Sequence, residues 1–343
     1  MRTSGREARS SPARRATPTR AIDAPEPPDE NGNRTVNSRP GRSPTNQFDD
    51  RPSNVRSKLA HIMNPKRKNG VRLNTRRLGV ERLEDRRLLA IMQDGVPSSE
   101  YEAFAADPMF DPVGAIYGNV GTGWQRGSAV LIAPDWLLTA GHNLFGPDGG
   151  GVSEVRFYTG LNLFESYDVY QADAWYAYPG YTNSLSYGHG DDLGLIHLSQ
   201  PVVDVAPAVL FAGEDRRDTL MYMAGYGDPG TYNIGLLPFD GKMRAGSSVA
   251  EGFGGDTVLT DTVETQYWTS SFTPYDSNLQ PLEWMSSPGD SGGAWFANIG
   301  GQVQLVGITT GYIDNFGNGS SLAIRASLYN DWITDTMTAH SPL

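Results

Sequence analysis

The chain has 343 residues, 28 Lys and Arg against 39 Asp and Glu for a net charge of −11, and no cysteine. That length accommodates a long tail with one two-lobed domain, or two ordinary domains; the lack of cysteine excludes disulfides and thiolate chemistry. No run of about 18 apolar residues occurs, so no membrane-spanning helix is expected.

The charge divides the chain. Residues 1–90 carry 21 basic residues against 10 acidic ones, whereas residues 91–343 carry 7 against 29. The first segment, rich in Arg, Pro, Ser and Asn, has almost no periodic apolar pattern and cannot bury enough surface to offset the entropy of ordering, so a disordered basic leader is expected over 1–90. A basic arm can contact phosphates, but Phe48 is its one Phe, Trp or Tyr, so aromatic residues are not interleaved with the basic ones for base stacking, and the acidic segment behind it would repel nucleic acid. The expectation is a solvated leader or tether with no nucleic-acid partner. Its start lacks the apolar core of a secretory signal. The stretch "RRLGVERLEDRRLLA", Arg76 to Ala90, reads as a short amphipathic helix with exposed Arg. It also resembles the Leu-Glu-x-Arg-x-Leu-Leu tag near the N terminus of exported proteins in some budding bacteria, written here Leu83-Glu84-Asp85-Arg86-Arg87-Leu88-Leu89. That resemblance implies an exported protein.

From about Val113 onward, short apolar or alternating runs recur between Gly, Pro, Asn and Asp clusters: "GSAVLIA", "DWLLTAG", "EVRFYTG", "DLGLIHL", "TLMYMAGYG", "TVETQYW", "GGAWFA" and "QVQLVGITT". Their length, β-branched content and spacing predict strands of an all-β barrel or sandwich rather than alternating β and α units. Only "ASLYNDWITDTM", Ala326 to Met337, reads as a helix, with Leu328, Trp332 and Ile333 able to share a face.

Three polar residues stand out against this pattern. Ser291 lies in "SSPGDSGGAWF", where the glycines suit an ordinary tight turn or the exposed loop of a nucleophile. A nucleophilic serine needs a base, a group to orient that base, and N–H groups aimed at an oxyanion. The acidic segment holds four histidines: His142, His189, His197 and His340. His142 follows a strand pattern and a small-residue turn in "VLIAPDWLLTAGHNLF", where an imidazole can emerge at a barrel rim or simply be solvated. Asp192 opens the apolar run "DLGLIHL"; with Asp191 it is either a turn acid or a carboxylate placed to accept an imidazole N–H.

In the order His142, Asp192, Ser291, the three motifs "LLTAGH", "DLGLIHL" and "GDSGG" resemble those of the chymotrypsin-like serine proteases, in particular the bacterial glutamyl endopeptidase branch; "YNDWI" resembles the start of that family's C-terminal helix. The resemblance spans about residues 112–337. It implies two antiparallel six-stranded β-barrels, at about 110–205 and 215–325, a C-terminal helix at about 326–337, and a protease domain covering 91–343. It further implies a serine endopeptidase acting as a monomer on polypeptides. His142 would be general base and acid, Asp192 its orienting acid, Ser291 the nucleophile, and the N–H groups of Gly289 and Ser291 the oxyanion hole.

Where the family's pattern varies, the sequence gives further expectations. Met285, six residues before Ser291, supplies no carboxylate at the pocket base, so a Lys or Arg preference is not expected. The glutamyl branch commonly has a histidine at the position of Thr309, paired with a hydroxyl near Ser286. Ser286 is present and Thr309 replaces the histidine, which implies an uncharged pocket shaped by Met285, Ser286, Thr309 and Thr310. Asn143 stands where a cysteine often follows the catalytic histidine. No zinc, calcium or phosphate-binding motif appears, so neither metal nor cofactor is expected. The resemblance also implies a zymogen: cleavage near Ala90 would free Ile91, whose α-amino group would insert near Asp290, the alternative being a cut a few residues away, after one of the arginines. The competing reading is a catalytically silent, binding member of the same fold.

Overall fold

Strand-forming runs become strands almost throughout the described part of a computed structural model, which comprises residues 92–181, 191–214, 218–250, 252–253, 267–272, 280–315 and 318–340. These all fall in one of the two units into which the chain divides, Val80–Leu343. The expected basic leader, the export-type tag, Ile91 and His189 lie outside the described residues.

The first lobe is β1 (Val113–Asn119), β2 (Trp124–Ala133), β3 (Trp136–Thr139), β4 (Val155–Asn162), β5 (Ser166–Ala177) and β6 (Gly194–Leu198). They form a closed barrel in the order β1-β2-β3-β6-β5-β4, because β1 pairs antiparallel with both β2 and β4. Ile116, Leu131, Leu137, Phe157 and Ile196 fill its interior, each such side chain contributing about 1.5–3 kcal/mol when fully buried.

The second lobe contains β7 (Thr219–Gly225), β8 (Gly230–Thr231), β9 (Gly235–Leu236), β10 (Arg244–Ala250), β11 (Gly252–Phe253), β12 (Tyr267–Phe272), β13 (Ala294–Ile299), β14 (Gln302–Asn315) and β15 (Asn318–Arg325). Its main sheet runs β10-β7-β13-β14-β15-β12-β11, with β8 and β9 paired separately. Among the described residues this sheet has seven strands and does not close on itself, so the second half of the fold is a half-barrel. The architecture is all-β and chymotrypsin-like, as the sequence implies. Leu138 and Leu195 of the first barrel join Ala224, Tyr226, Phe296 and Ile308 of the second lobe in one apolar cluster, which fixes the two lobes against each other.

Two helical features differ from the sequence reading. A helix, α1 (Ser98–Ala105), precedes the first barrel. Its eight residues bury only Tyr101 and Ala105, too short a pattern to register as a period of 3.6. Its docking is polar as well as apolar: Tyr101 donates to the Glu283 carbonyl at 3.0 Å, and the buried Arg244 guanidinium bonds Ser98, Glu102 and Asp240. At the other end, a 3-10 turn over Ala326–Tyr329 leads into α2 (Asn330–His340). Three residues per turn instead of 3.6 shifts the phase of the first turn. Leu328, expected on the inner face, is therefore exposed, while Tyr329 and Ile333 are buried.

Candidate active site

His142 sits in a short 3-10 turn, Gly141–Leu144, immediately after β3. The apolar run Trp136–Leu138 is fully buried and ends the strand at the lobe boundary, so the histidine emerges at the barrel rim. Asp192 lies just ahead of β6, the strand paired with β3, which brings the two residues together across the sheet. Its Oδ1 accepts the His142 main-chain N–H at 2.7 Å, and its Oδ2 lies 2.8 Å from His142 Nδ1. The Thr310 hydroxyl donates to the same Oδ2. Asp192 is thus held by three donors while its side chain is only 8% exposed; the His142 side chain is 27% exposed.

These contacts set the electrostatics. Burial opposes charge on both groups, but the Asp192 carboxylate outweighs it and raises the His142 pKa above the ordinary 6.5. Burial likewise pushes Asp192 up; His142, Thr310 and the backbone N–H overcome it, and the net direction is below 3.8. Asp191, the adjacent acid, is turned elsewhere by a positive φ of 69°. Its carboxylate accepts the Tyr329 hydroxyl at 2.9 Å.

The Ser291 loop is fixed by its main chain. Its carbonyl accepts the Ser128 N–H at 2.7 Å and Asn143 Nδ2 at 2.8 Å. Asn143, next to His142, also donates to Thr139 at 3.0 Å. The asparagine that follows His142 therefore ties the turn carrying His142 to the loop carrying Ser291. Gly127 makes room for it, since a Cβ there would come within 2.5 Å of Asn143 Nδ2. Gly289 and Gly292 both have positive φ, 98° and 87°, a region glycine occupies without penalty. A side chain at 292 would also run into the Ser128 carbonyl, and one at 289 would meet the Arg126 guanidinium at 2.5 Å. Arg126 closes the loop from outside: it bonds Asp228 at 2.6 Å and the Pro288 carbonyl at 3.1 Å, and lies over the Phe239 ring.

Asp290 is buried beneath this loop. Its Oδ1 accepts the Gly227 N–H at 2.8 Å, and its Oδ2 accepts the N–H and hydroxyl of Ser287 at 2.9 and 3.2 Å. Burial nevertheless dominates and pushes its pKa up to about 6. Ile91, its expected partner, is outside the described residues, but Met92 is fixed beside the same lobe, bridged to Trp284 and Thr231 and donating to the Gly230 carbonyl at 3.1 Å.

The four expected pocket residues are less free than the sequence suggests. Met285, Ser286 and Thr309 are buried. Ser286 donates to the Gly311 carbonyl at 2.9 Å, and the Thr309 hydroxyl accepts Trp295 Nε1 at 3.0 Å. The Thr310 hydroxyl is donated to Asp192. Sequence reading missed Asn143, Arg126 and Ser128 as site-building residues. Only Asn143 carried a signal, as the residue in a position usually held by cysteine.

A closed barrel facing a half-barrel, with a His–Asp pair at the seam and a glycine-framed serine opposite, defines a two-lobed β protein with the layout of a serine protease. The trypsin family model matches residues 118–333, and the chain belongs to that family. Among solved structures it resembles neuropsin, a serine protease expressed in the limbic system of mouse brain, with a TM-score of 0.52 and 20% identity over 68% of this chain and 97% of that one. At that identity the likeness speaks for the fold alone. No curated protein matches the chain.

Proposed function

We propose that this protein is a serine endopeptidase in which Ser291 attacks the scissile carbonyl. His142 takes the hydroxyl proton through Nε2, Asp192 holds Nδ1–H and stabilises the imidazolium, and the N–H groups of Gly289 and Ser291 receive the oxyanion. The observation that carries this reading is the two-point hold of Asp192 on His142, through main-chain N–H and ring together. It presets the tautomer that leaves Nε2 free to act as base. Among the loop amides, those of Asp290, Gly292 and Gly293 are already bonded to the carbonyls of Ser287, Thr309 and Asp290, which supports assigning the oxyanion to the other two. After the amine departs with the proton from His142, water attacks the acyl-enzyme with His142 again as base.

The substrates are polypeptides. The pocket is uncharged, because Met285, Ser286 and Thr309 bring no ionisable group; kinship with the glutamyl endopeptidase branch rests on the three motifs. The tag at 83–89 supports export, and the leader would be removed near Ala90. Met92, seated beside Trp284 and Gly230, supports this, since the preceding residue's α-amino group would arrive on the lobe that buries Asp290. A cation there would offset the burial that now raises the Asp290 pKa. Fluorophosphonate labelling followed by a peptide-library cleavage profile tests the function: labelling at Ser291 with cleavage after uncharged residues is expected, and absence of labelling on the processed chain contradicts it. N-terminal sequencing of the active form tests the leader. An active chain that retains residues 1–90 would exclude removal as the switch.

A further inference from the structure

A second His–Asp group lies away from the proposed active site, on strands of the same barrel. His197, on β6, pairs in register with Trp136 of β3 on one side and Ala174 of β5 on the other. The β5–β6 ladder is irregular between Ala172 and Ala174. An extra residue of this kind redirects a side chain, and Asp173 is the residue so placed: its Oδ1 lies 2.5 Å from His197 Nδ1. His340, the last residue of α2, brings its ring to 4.7 Å from that of His197. One ligand atom each from Asp173, His197 and His340 lies within 4.8 Å of the others.

The surroundings orient these groups. Tyr176 Oη lies 2.5 Å from His340 Nδ1. With Nδ1–H donated to the phenol, Nε2 of His340 has its lone pair available. His197 Nε2 lies 3.5 Å from an Asp135 carboxylate oxygen, so a proton on Nε2 has an acceptor and Nδ1 can ligate. The Trp136 ring meets both imidazoles edge to face, at 4.9 and 5.6 Å. Metal-binding histidines are oriented in this way, with the ring nitrogen not on the metal bonded to an outer oxygen. We propose that His197 Nδ1, His340 Nε2 and an Asp173 carboxylate oxygen bind one divalent transition ion of the zinc class, with the fourth position left to water. The N/N/O donor set suits zinc. Tetrahedral ligands at about 2.0–2.1 Å stand roughly 3.3 Å apart, so binding closes the wider separations in the group, which reach up to 4.8 Å, and moves the Asp173 oxygen off its 2.5 Å contact with His197 Nδ1. Asp173, half exposed, and His340, at the helix end, can supply that movement. The ion would fasten the end of α2 to β5 and β6, and so lock the C-terminal helix to the first barrel without a disulfide.

The test uses the full chain, stripped with chelator, dialysed against zinc chloride and passed through gel filtration, with zinc measured by mass spectrometry. The parent is expected to retain one equivalent and to gain thermal stability with zinc but not with magnesium. His340→Gln and His197→Gln should each lose it, and Tyr176→Phe should weaken it by about 10-fold or more through the outer contact. Cobalt should give the intense visible bands of a four-coordinate site in the parent alone. Far-UV circular dichroism and the metal-free thermal transition of each variant, expected at the parental values, report that it has folded. Failure of the parent to retain zinc, or retention undiminished in both folded histidine variants, overturns the proposal.

Discussion

The first barrel presents two His–Asp pairs whose members Asp192 and His197 are only five positions apart at β6, and their surroundings suit them to the different tasks proposed above. Asp192 precedes the strand and is buried; it meets His142 with both carboxylate oxygens while Thr310 adds a third bond. Asp173 and His197 meet through one contact, with the Asp173 side chain half exposed. A carboxylate spent on one imidazole in a water-poor seam fixes a tautomer and stabilises a passing cation, which a base needs. A carboxylate open to solvent beside two imidazoles keeps coordination free. Residue types are the same at the two places; burial and the number of donors separate them.

The largest expected effect tests that contrast directly. Asp192→Asn should lower turnover on the order of 10⁴-fold, by stabilising the wrong tautomer of His142, whereas Asp173→Asn and Asp191→Asn should leave steady-state kinetics near the parental values. A comparable loss on changing Asp191, whose carboxylate receives Tyr329 instead, would move the orienting role. Next, Gly292→Ala forces a Cβ against the Ser128 carbonyl at a positive φ; overpacking of this kind costs about 1–3 kcal/mol or more, and urea unfolding should show a lower midpoint. Asn143→Ala should cost about 1–3 kcal/mol by leaving the buried Thr139 hydroxyl and the half-buried Ser291 carbonyl each short of a donor. Because the lost bonds tie the base to the nucleophile loop, kcat should fall as well, and a stability loss with unchanged kcat would show that the tie is structural only.

The smallest effect is in pH dependence. The base must be neutral to act, and Asp192 raises the His142 pKa, so the acid limb of kcat/KM should have its midpoint above 6.5. In Asp192→Asn the residual activity should have a lower midpoint. The stability consequences run in the matching directions. The raised histidine contributes stability that is fully present below its unfolded value of 6.5 and is lost as pH rises through the folded value. The depressed aspartate contributes stability above 3.8 that is lost as pH falls through its folded value. A pH-rate profile of the parent and variant checks the first statement, and urea titrations across pH the second.

The sequence made the strands of both lobes legible because their apolar runs are short and punctuated by turn residues. The His142, Asp192 and Ser291 motifs were legible because each is local. What stayed hidden depends on distance along the chain. Nothing near Asn143 announces that its amide reaches Ser291, and nothing near Thr310 announces that its hydroxyl reaches Asp192. Helix α1 was invisible because its anchors, Arg244 and Glu283, lie in the other half of the chain. The Asp173, His197 and His340 group shares no motif, being assembled by a strand irregularity and a helix end.

The central claim is that the glycine-framed serine is a nucleophile served by the buried His–Asp pair. Its most direct measurement is active-site labelling of the processed chain with a fluorophosphonate, with the modified residue located by peptide mass spectrometry, in the parent, Ser291→Ala and Asp192→Asn. The account predicts one label per chain on Ser291, none in Ser291→Ala, and greatly slowed labelling in Asp192→Asn. Labelling at another residue, or hydrolysis by Ser291→Ala at the parental rate, would contradict it.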